Sequence, residues 1–149
     1  MKGPLPTRIE DRLAIQEQLY RYAYAFDDGD IEGFLDVFTP DAVWEAYLIG
    51  RDEPLSRLQS PDEFRAFVKK LGVPMAGTVL HHTSSLLFVE LDEDSAVTRS
   101  MVVASHQKPS GPVIGTHGTY YDRWRKTPDG WRIEHRRYTA AGYESADRD

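Results

Sequence analysis

Asp27 is the acidic residue best placed to take part in proton transfer. It ends the first predicted helix, next to Phe26 and four residues after Ala23, so it is expected to face the apolar side of that helix. A carboxylate in that position can orient an imidazole, which fixes the tautomer and leaves the other ring nitrogen able to take a proton near neutral pH. The alternative is an ordinary helix-terminal acid exposed to solvent.

Four of the five histidines in the predicted strands are considered as the partner of this carboxylate. His81 and His82 are adjacent at the start of one strand, His106 closes the next, and His117 begins the one after. If the first two strands form a hairpin, their opposite ends meet and His106 lies near His81. The sequence has no HxxxH on a helix and no His-x-His on a strand that would place two histidines on one face. A metal site is therefore not expected. The sequence also has no Walker loop and no dinucleotide-binding fingerprint, so no cofactor is expected either.

The choice between His81 and His82 depends on strand register. Neighbouring side chains of a strand point to opposite faces, so only one of the two can enter a pocket. Counting back from Leu91 along an unbroken strand groups His81 with Thr83, Ser85, Leu87 and Val89, and His82 with Ser84, Leu86, Phe88 and Glu90. Neither set is purely apolar, and a β-bulge would exchange the two faces.

Composition excludes several other classes of function. The chain has no cysteine, which excludes disulfides, thiolate nucleophiles and cysteine metal sites. Its net charge of −6 is spread without a basic face, which argues against nucleic-acid binding. No apolar run approaches the length that crosses a membrane, and the N-terminal stretch MKGPLPTRIEDR lacks the apolar core of a secretory signal. A cytoplasmic protein is expected.

The elements that position these residues are predicted from hydrophobic periodicity and turn residues. An apolar stripe predicts a helix over residues 7–28, and cap residues predict a short helix over 31–38 and another over 60–71. Strands are predicted over 42–49, 80–91, 96–107, 114–125 and 131–139. Helices followed by hairpin-linked strands indicate one α+β domain over residues 1–149. Its helices would pack on one face of a curved antiparallel sheet, around an apolar pocket.

Two stretches of the chain resemble SnoaL-like proteins, which have a cone-shaped α+β fold. The opening consists of RLAIQEQLYRYAYAFDDGD from Arg12 and FLDVFTPDAVW from Phe34; the ending consists of GTYYDRW from Gly118 and DGWRI from Asp129. The family includes polyketide cyclases, scytalone dehydratase, a bile-acid dehydratase, a lindane dehydrochlorinase and small dioxygenase subunits without catalysis. The resemblance covers nearly the whole chain and implies a homo-oligomer, either a dimer or a trimer.

The resemblance also implies roles for individual residues. Asp27 and His81 fall where the dehydratases and the dehydrochlorinase keep an aspartate–histidine pair. His106 is similar to the second histidine of scytalone dehydratase. Tyr22 matches a tyrosine of the bile-acid dehydratase, and Phe26 replaces a substrate-binding tyrosine of scytalone dehydratase. Scytalone dehydratase has a serine at the position of Thr119 and an asparagine at the position of Tyr121. Arg136 falls near an arginine of the dehydrochlorinase.

Together these residues imply a cofactor-independent lyase or isomerase, similar to a dehydratase or cyclase, for a small hydrophobic and cyclic substrate. His81, oriented by Asp27, would remove a proton from a carbon next to an activating group. His106, with Tyr22 or Tyr47, would stabilise the developing charge or protonate a leaving hydroxyl group. The ligand walls are expected to include Tyr22, Phe26, Trp44, Tyr47, Thr119, Tyr121 and Arg136. The alternative is a non-catalytic ligand-binding module, similar to a dioxygenase β-subunit.

Overall fold

The computed structural model describes residues 7–141, which form helices and a six-stranded sheet. The helices are α1 (Ile9–Asp28), α2 (Ile31–Asp36), α3 (Pro61–Phe67) and α4 (Val73–Met75), and a π-helical turn (Val68–Gly72) joins the last two. The strands are β1 (Phe38–Leu48), β2 (Ser56–Leu58), β3 (Val79–Leu91), β4 (Ser95–Lys108), β5 (Gly111–Thr127) and β6 (Gly130–Ala140). The predicted α+β class is confirmed. Residues 1–6 and 142–149 of the predicted domain, with half of the N-terminal stretch, lie outside the described residues.

The strands form one curved, unclosed sheet in the order β2-β1-β6-β5-β4-β3. β3, β4, β5 and β6 are consecutive antiparallel neighbours, as the predicted hairpins require. The pairing of β1 with β6 is parallel and differs from the predicted antiparallel sheet. These two strands are far apart in sequence and no hairpin joins them, so turn residues carry no information about their relative direction. β2 was not predicted because three residues are too few to show alternation.

Capping residues fix where the helices begin and end. Gly29 ends α1 with φ 69°, a left-handed conformation that glycine adopts without strain. The Asp30 side chain accepts a hydrogen bond from the Gly33 N–H and caps α2. The Ser60 hydroxyl accepts one from the Glu63 N–H at 3.3 Å and caps α3. No helix within residues 7–141 is long and apolar enough to cross a membrane.

The third predicted helix is α-helical over only part of its length. It is α-helical only to Phe67 and continues as a π-helical turn to Gly72. Gly72 packs so closely on α1 that an added Cβ would lie 3.2 Å from the Phe26 carbonyl oxygen. π-Helical turns often occur at functional sites, and this one places Leu71 beside the cavity described below.

The core lies between α1 and the inner face of the sheet. The apolar stripe of α1 is buried there through Ile15, Leu19, Tyr22 and Phe26. A group of phenylalanine rings from α2, β1 and α3 belongs to this core, with centroids 4.7 to 6.4 Å apart (Phe34, Phe38 and Phe64). Each such buried side chain contributes about 1.5–3 kcal/mol to stability. The C-terminal end of α1 brings Asp27 against β3.

A fully buried ion pair crosses from β6 to β5. Arg136 donates from Nε and Nη2 to the two carboxylate oxygens of Asp122, at 2.8 and 2.7 Å, and neither residue is exposed to solvent. Burial favours the uncharged form of Arg136, but the Asp122 carboxylate outweighs it and raises the pKa of the guanidinium above its usual value. The pair is therefore charged within the core, where each partner offsets the desolvation of the other.

Removing one partner of this pair is expected to destabilise the fold. Asp122→Asn leaves the buried guanidinium without its counter-charge, and the free energy of unfolding should fall by about 3 kcal/mol or more. The measurement is urea denaturation followed by circular dichroism. Glu17→Gln is the matched control, because its pair with Arg21 on α1 is solvent-exposed and such pairs contribute little. Equal effects of the two substitutions would contradict the prediction.

Candidate active site

Asp27 lies in the last turn of α1 and is 7 % exposed, while the adjacent Asp28 faces solvent. The left-handed Gly29 stops the helix two residues later. The N–H of Gly77, in the turn before β3, donates to the Asp27 carbonyl oxygen at 3.2 Å. The backbone around Asp27 is thus held on both sides, and its side chain is directed to the first residues of β3.

The Asp27 carboxylate accepts two hydrogen bonds from His81. The backbone N–H of His81 donates to Oδ2 at 2.7 Å, and the ring Nδ1 lies 2.6 Å from Oδ1. An ionised carboxylate only accepts hydrogen bonds, so Nδ1 carries the hydrogen and Nε2 of the neutral ring keeps its lone pair. The two side chains are only 9–10 % exposed. The arrangement is a carboxylate–imidazole dyad with one basic nitrogen available.

Of the two adjacent histidines, His81 faces the interior and His82 is exposed. The ring of Phe26 meets the His81 ring edge to face, with centroids 5.2 Å apart. This contact and the two bonds to Asp27 hold the imidazole in one orientation. His82 lies on the other face of the strand.

The dyad opens into a cavity of about 270 Å³ between the helices and the sheet. Aromatic and aliphatic side chains make up most of its walls, and its polar groups come from histidine, threonine and tyrosine. The lining residues are Tyr22, Phe26, Trp44, Ala46, Phe67, Leu71, Met75, Val79, His81, Ala104, His106, Gly115, Thr116, Tyr120 and Tyr138. A volume at the small end of the usual range suits a compact apolar ligand.

His106 lines the same cavity as His81. β3 and β4 pair so that His81 is opposite Ala104 and Val79 is opposite His106. The two histidines are therefore diagonal neighbours on the inner face of the hairpin, within reach of one bound ligand. His117 is exposed on β5. Within residues 7–141, no three histidine, aspartate or glutamate side chains are grouped closely enough to hold a metal ion.

Three predicted wall residues do not line the cavity, which corrects the sequence analysis. Trp44 faces inward on β1, so Tyr47, three positions later, points to the outer face, where Arg137 stacks on its ring at 3.9 Å. Tyr120 faces inward on β5, so its neighbours Thr119 and Tyr121 also lie on the outer face. Alternation along each strand is the physical reason for all three placements.

Arg136 is also not a wall residue, because it lies beneath the cavity floor. Its Cζ is 4.1 Å from the ring centroid of Tyr22 and 3.8 Å from that of Tyr120. Both rings line the cavity and separate the guanidinium from any ligand. Burial, reinforced by the neighbouring Tyr22, raises the pKa of Tyr120 well above its usual value, so its phenol stays protonated.

Tyr138 lines the cavity although the sequence did not predict it there, and Tyr120, which was expected mainly as a core residue, lines it too. The two tyrosines are directly opposite each other on β5 and β6, with ring centroids 5.7 Å apart. Gly118 makes room for them, because a Cβ there would collide with the Thr139 carbonyl and the Tyr138 ring. Alternation along β5 could have identified Tyr120, because Gly118, Tyr120 and Asp122 share the inner face of that strand.

Residues 7–137 match the family model described as a SnoaL-like domain. A protein of unknown function from Mycobacterium tuberculosis, solved as an aspartate-to-asparagine variant, is 27 % identical, with a TM-score of 0.81 over 95 % of this chain and 78 % of that one. A candidate aromatic-ring hydroxylase from Novosphingobium aromaticivorans is 30 % identical, with a TM-score of 0.77 over 91 % and 92 % of the two chains. No curated protein sequence matches the chain.

More distant structures share the fold alone. A candidate scytalone dehydratase from the same Novosphingobium species is 22 % identical, with a TM-score of 0.76 over 93 % of this chain and 91 % of that one. LinA is 16 % identical, with a TM-score of 0.71 over 88 % and 86 %. The β-subunit of a candidate aromatic-ring-hydroxylating dioxygenase, also from that species, is 16 % identical, with a TM-score of 0.79 over 95 % of each chain.

The dyad geometry predicts an unusual tautomer for His81. Neutral His81 should carry its hydrogen on Nδ1, because that atom faces the Asp27 carboxylate. Two-dimensional ¹⁵N–¹H spectra of histidine-labelled protein distinguish the two tautomers. Exposed His82 is the internal control and should follow the behaviour of free histidine. An Nε2–H tautomer at His81 would contradict the geometry described above.

Proposed function

This chain belongs to the SnoaL-like family, and we propose that it is a cofactor-independent lyase or isomerase. The observation that supports the proposal is the Asp27–His81 pair, held at 2.6 and 2.7 Å inside an apolar cavity. A shared fold does not fix a reaction, so the argument depends on the side chains within the cavity. Dehydration is the net reaction proposed first, with cyclisation or double-bond migration as variants of the same proton transfer.

His81 is the base of this mechanism. Its Nε2 takes a proton from the carbon next to a ligand carbonyl, and the C–H electron pair moves to the carbonyl oxygen to form an enolate. The Asp27 carboxylate stabilises the resulting imidazolium. In a dehydration the enolate re-forms the carbonyl and expels a β-hydroxyl group, which takes the same proton from Nε2 and leaves as water. In an isomerisation the proton returns to another carbon of the ligand.

The developing negative charge on the ligand needs a hydrogen-bond donor. Tyr22 and His106 line the same cavity as His81 and supply such donors from α1 and β4. The surrounding aromatic and aliphatic walls keep water away, which strengthens each of these electrostatic contacts. The sequence-based choice of Tyr47 for this role is dropped because it lies on the outer face of the sheet.

The cavity favours a small, cyclic and uncharged substrate. Its walls include the rings of Phe26, Trp44, Phe67 and Tyr138, which suit flat apolar ligands. The candidate scytalone dehydratase and candidate ring hydroxylase among the similar structures are compatible with such substrates. A non-catalytic binding module would need the same walls but not a base aligned by a carboxylate, so the dyad favours an enzyme.

We further propose a homo-oligomer, dimer or trimer, that associates through the outer face of the sheet. Met101 and Tyr121 are 55 % and 43 % exposed there, next to the stacked Arg137 and Tyr47. An exposed apolar surface flanked by polar groups is typical of an interface, and closed symmetry limits the copies to a small number. The likeness to a dioxygenase β-subunit is compatible with association.

Assembly through this face predicts a multiple of the monomer mass in light scattering at micromolar concentration. Met101→Asp places a desolvated charge in the interface and should shift the mass to the monomer. Leu13→Asp is the control, because Leu13 is exposed to a similar degree on α1, which lies on the other side of the sheet. A monomeric wild-type protein would refute the proposal.

Proton abstraction predicts that the protein exchanges α-hydrogens of cyclic ketones whatever the net reaction is. In D₂O, NMR of apolar cyclic ketones and β-hydroxy ketones should show deuterium incorporation or enone formation. His81→Ala and Asp27→Asn should each reduce the rate by at least about 100-fold, the usual contribution of a general base. The double variant should be little slower than either single one, because the pair acts as a unit.

His82→Ala is the matched control for this experiment, since His82 is adjacent in sequence and exposed. It should keep nearly the full exchange rate, and circular dichroism should show that all variants fold. Full activity of folded Asp27→Asn would overturn the mechanism. A folded His82→Ala without activity, together with an active His81→Ala, would move the base to His82.

A further inference from the structure

The Arg136 guanidinium contacts two tyrosine rings as well as its ion-pair partner Asp122. Its guanidinium is fully buried, yet only Nε and Nη2 are bonded to Asp122. Nη1 has no hydrogen-bond partner among the described residues. Instead, the guanidinium Cζ lies 4.1 Å from the ring centroid of Tyr22 and 3.8 Å from that of Tyr120, and these two rings are roughly perpendicular to each other.

These two rings form the cavity floor, so the charge of Arg136 lies directly behind the groups that a ligand meets. A cation over an aromatic face is attracted by the π electrons. In a phenol it also draws electron density away from the oxygen, which makes the hydroxyl a stronger hydrogen-bond donor. Desolvation increases the effect, because no water screens the charge at this depth.

The two phenols are arranged to pass this effect on to a ligand. Tyr120 is buried, and its ring meets the ring of Tyr22 edge to face, with centroids 5.8 Å apart. Burial raises the pKa of Tyr120, so its phenol is protonated. Both tyrosines line the cavity, and their hydroxyl groups are therefore the donors nearest to Arg136 that a ligand oxygen can meet.

We propose that Arg136 is a positioning residue that acts through the Tyr22 and Tyr120 rings and makes the cavity floor a site for negative charge on a ligand oxygen. It does not touch the ligand, in contrast to the substrate-binding role expected from sequence. The inference rests on the proposed function, in which such a charge develops as the enolate forms. It predicts a preference that can be measured by binding alone.

The probe pair is 4-nitrophenol and nitrobenzene. The two rings are nearly equal in size, but only the first can lose a proton and present an anionic oxygen, and its phenolate is detected by its colour. Wild-type protein should bind the phenolate more tightly than nitrobenzene. It should also lower the apparent pKa of bound 4-nitrophenol relative to the free compound, as seen in an absorbance titration.

The double variant Asp122→Leu/Arg136→Met tests the role of the charge. It replaces the whole ion pair with apolar groups, which buried pairs often tolerate. Phenolate binding should weaken about tenfold, the value of one charge-assisted hydrogen bond, while nitrobenzene binding should change less than about twofold. Equal losses of affinity for both probes would overturn the proposal, because they would show that Arg136 only shapes the cavity. Unchanged affinities for both probes would also overturn it.

Tyr22→Phe and Tyr120→Phe keep both stacked rings and are the second test if the double variant does not fold. Tyr22→Phe should show the same selective loss of phenolate binding, and Tyr120→Phe a smaller loss in the same direction. An unchanged ratio of the two affinities in both variants would refute the inference. His81→Ala separates this result from the proposed function: if it exchanges ketone hydrogens at the wild-type rate, the mechanism fails while the phenolate preference still tests Arg136.

Discussion

The two hydrogen bonds between His81 and the Asp27 carboxylate join the end of α1 to the edge strand of the sheet. A carboxylate that is nearly excluded from water loses favourable hydration, and it is tolerated only where donors replace the lost water. Here one donor is a backbone N–H and the other is an imidazole. The backbone bond fixes the distance between helix and strand, and the ring bond then sets the tautomer. Packing and chemistry therefore depend on one contact.

The sequence of the helix predicts the inward orientation of Asp27. The sequence of the strand does not predict which histidine meets it. The apolar stripe of α1 correctly directs Asp27 inward, and Gly29 marks the end of the helix. Along β3, however, the inward positions are His81, Thr83, Leu86, Phe88 and Leu91. Two register shifts, one after Ser84 and one after Phe88, break the alternation, and Ser85 takes the left-handed φ of 54°. A count from Leu91 assumes an unbroken strand and so could not choose between the histidines.

A resemblance to a family indicates which sequence position corresponds to a functional residue. It does not indicate in which direction the side chain at that position points. The resemblance implied ligand contacts for Thr119 and Tyr121, and Tyr47 was expected to be an aromatic wall, yet strand alternation directs all three outward. Arg136 is directed inward, but the rings of Tyr22 and Tyr120 cover it, which no sequence pattern shows. Stacking across three elements depends on the curvature of the sheet, to which its β-bulges contribute.

The cavity thus has a carboxylate with a basic partner at each of two places. In the resting state His81 is neutral, so the first pair carries the single negative charge of Asp27, which two hydrogen bonds from His81 stabilise. The charges of Asp122 and Arg136 offset each other, and an uncharged ligand adds no further charge to the cavity. Proton transfer to His81 changes this balance, because it creates a cation beside Asp27 and an anion on the ligand. In the proposed mechanism Asp27 stabilises the first and the phenols in front of Arg136 stabilise the second. Both interactions strengthen as charge separates and are weak in the ground state, which is the condition for lowering a barrier rather than merely binding a substrate.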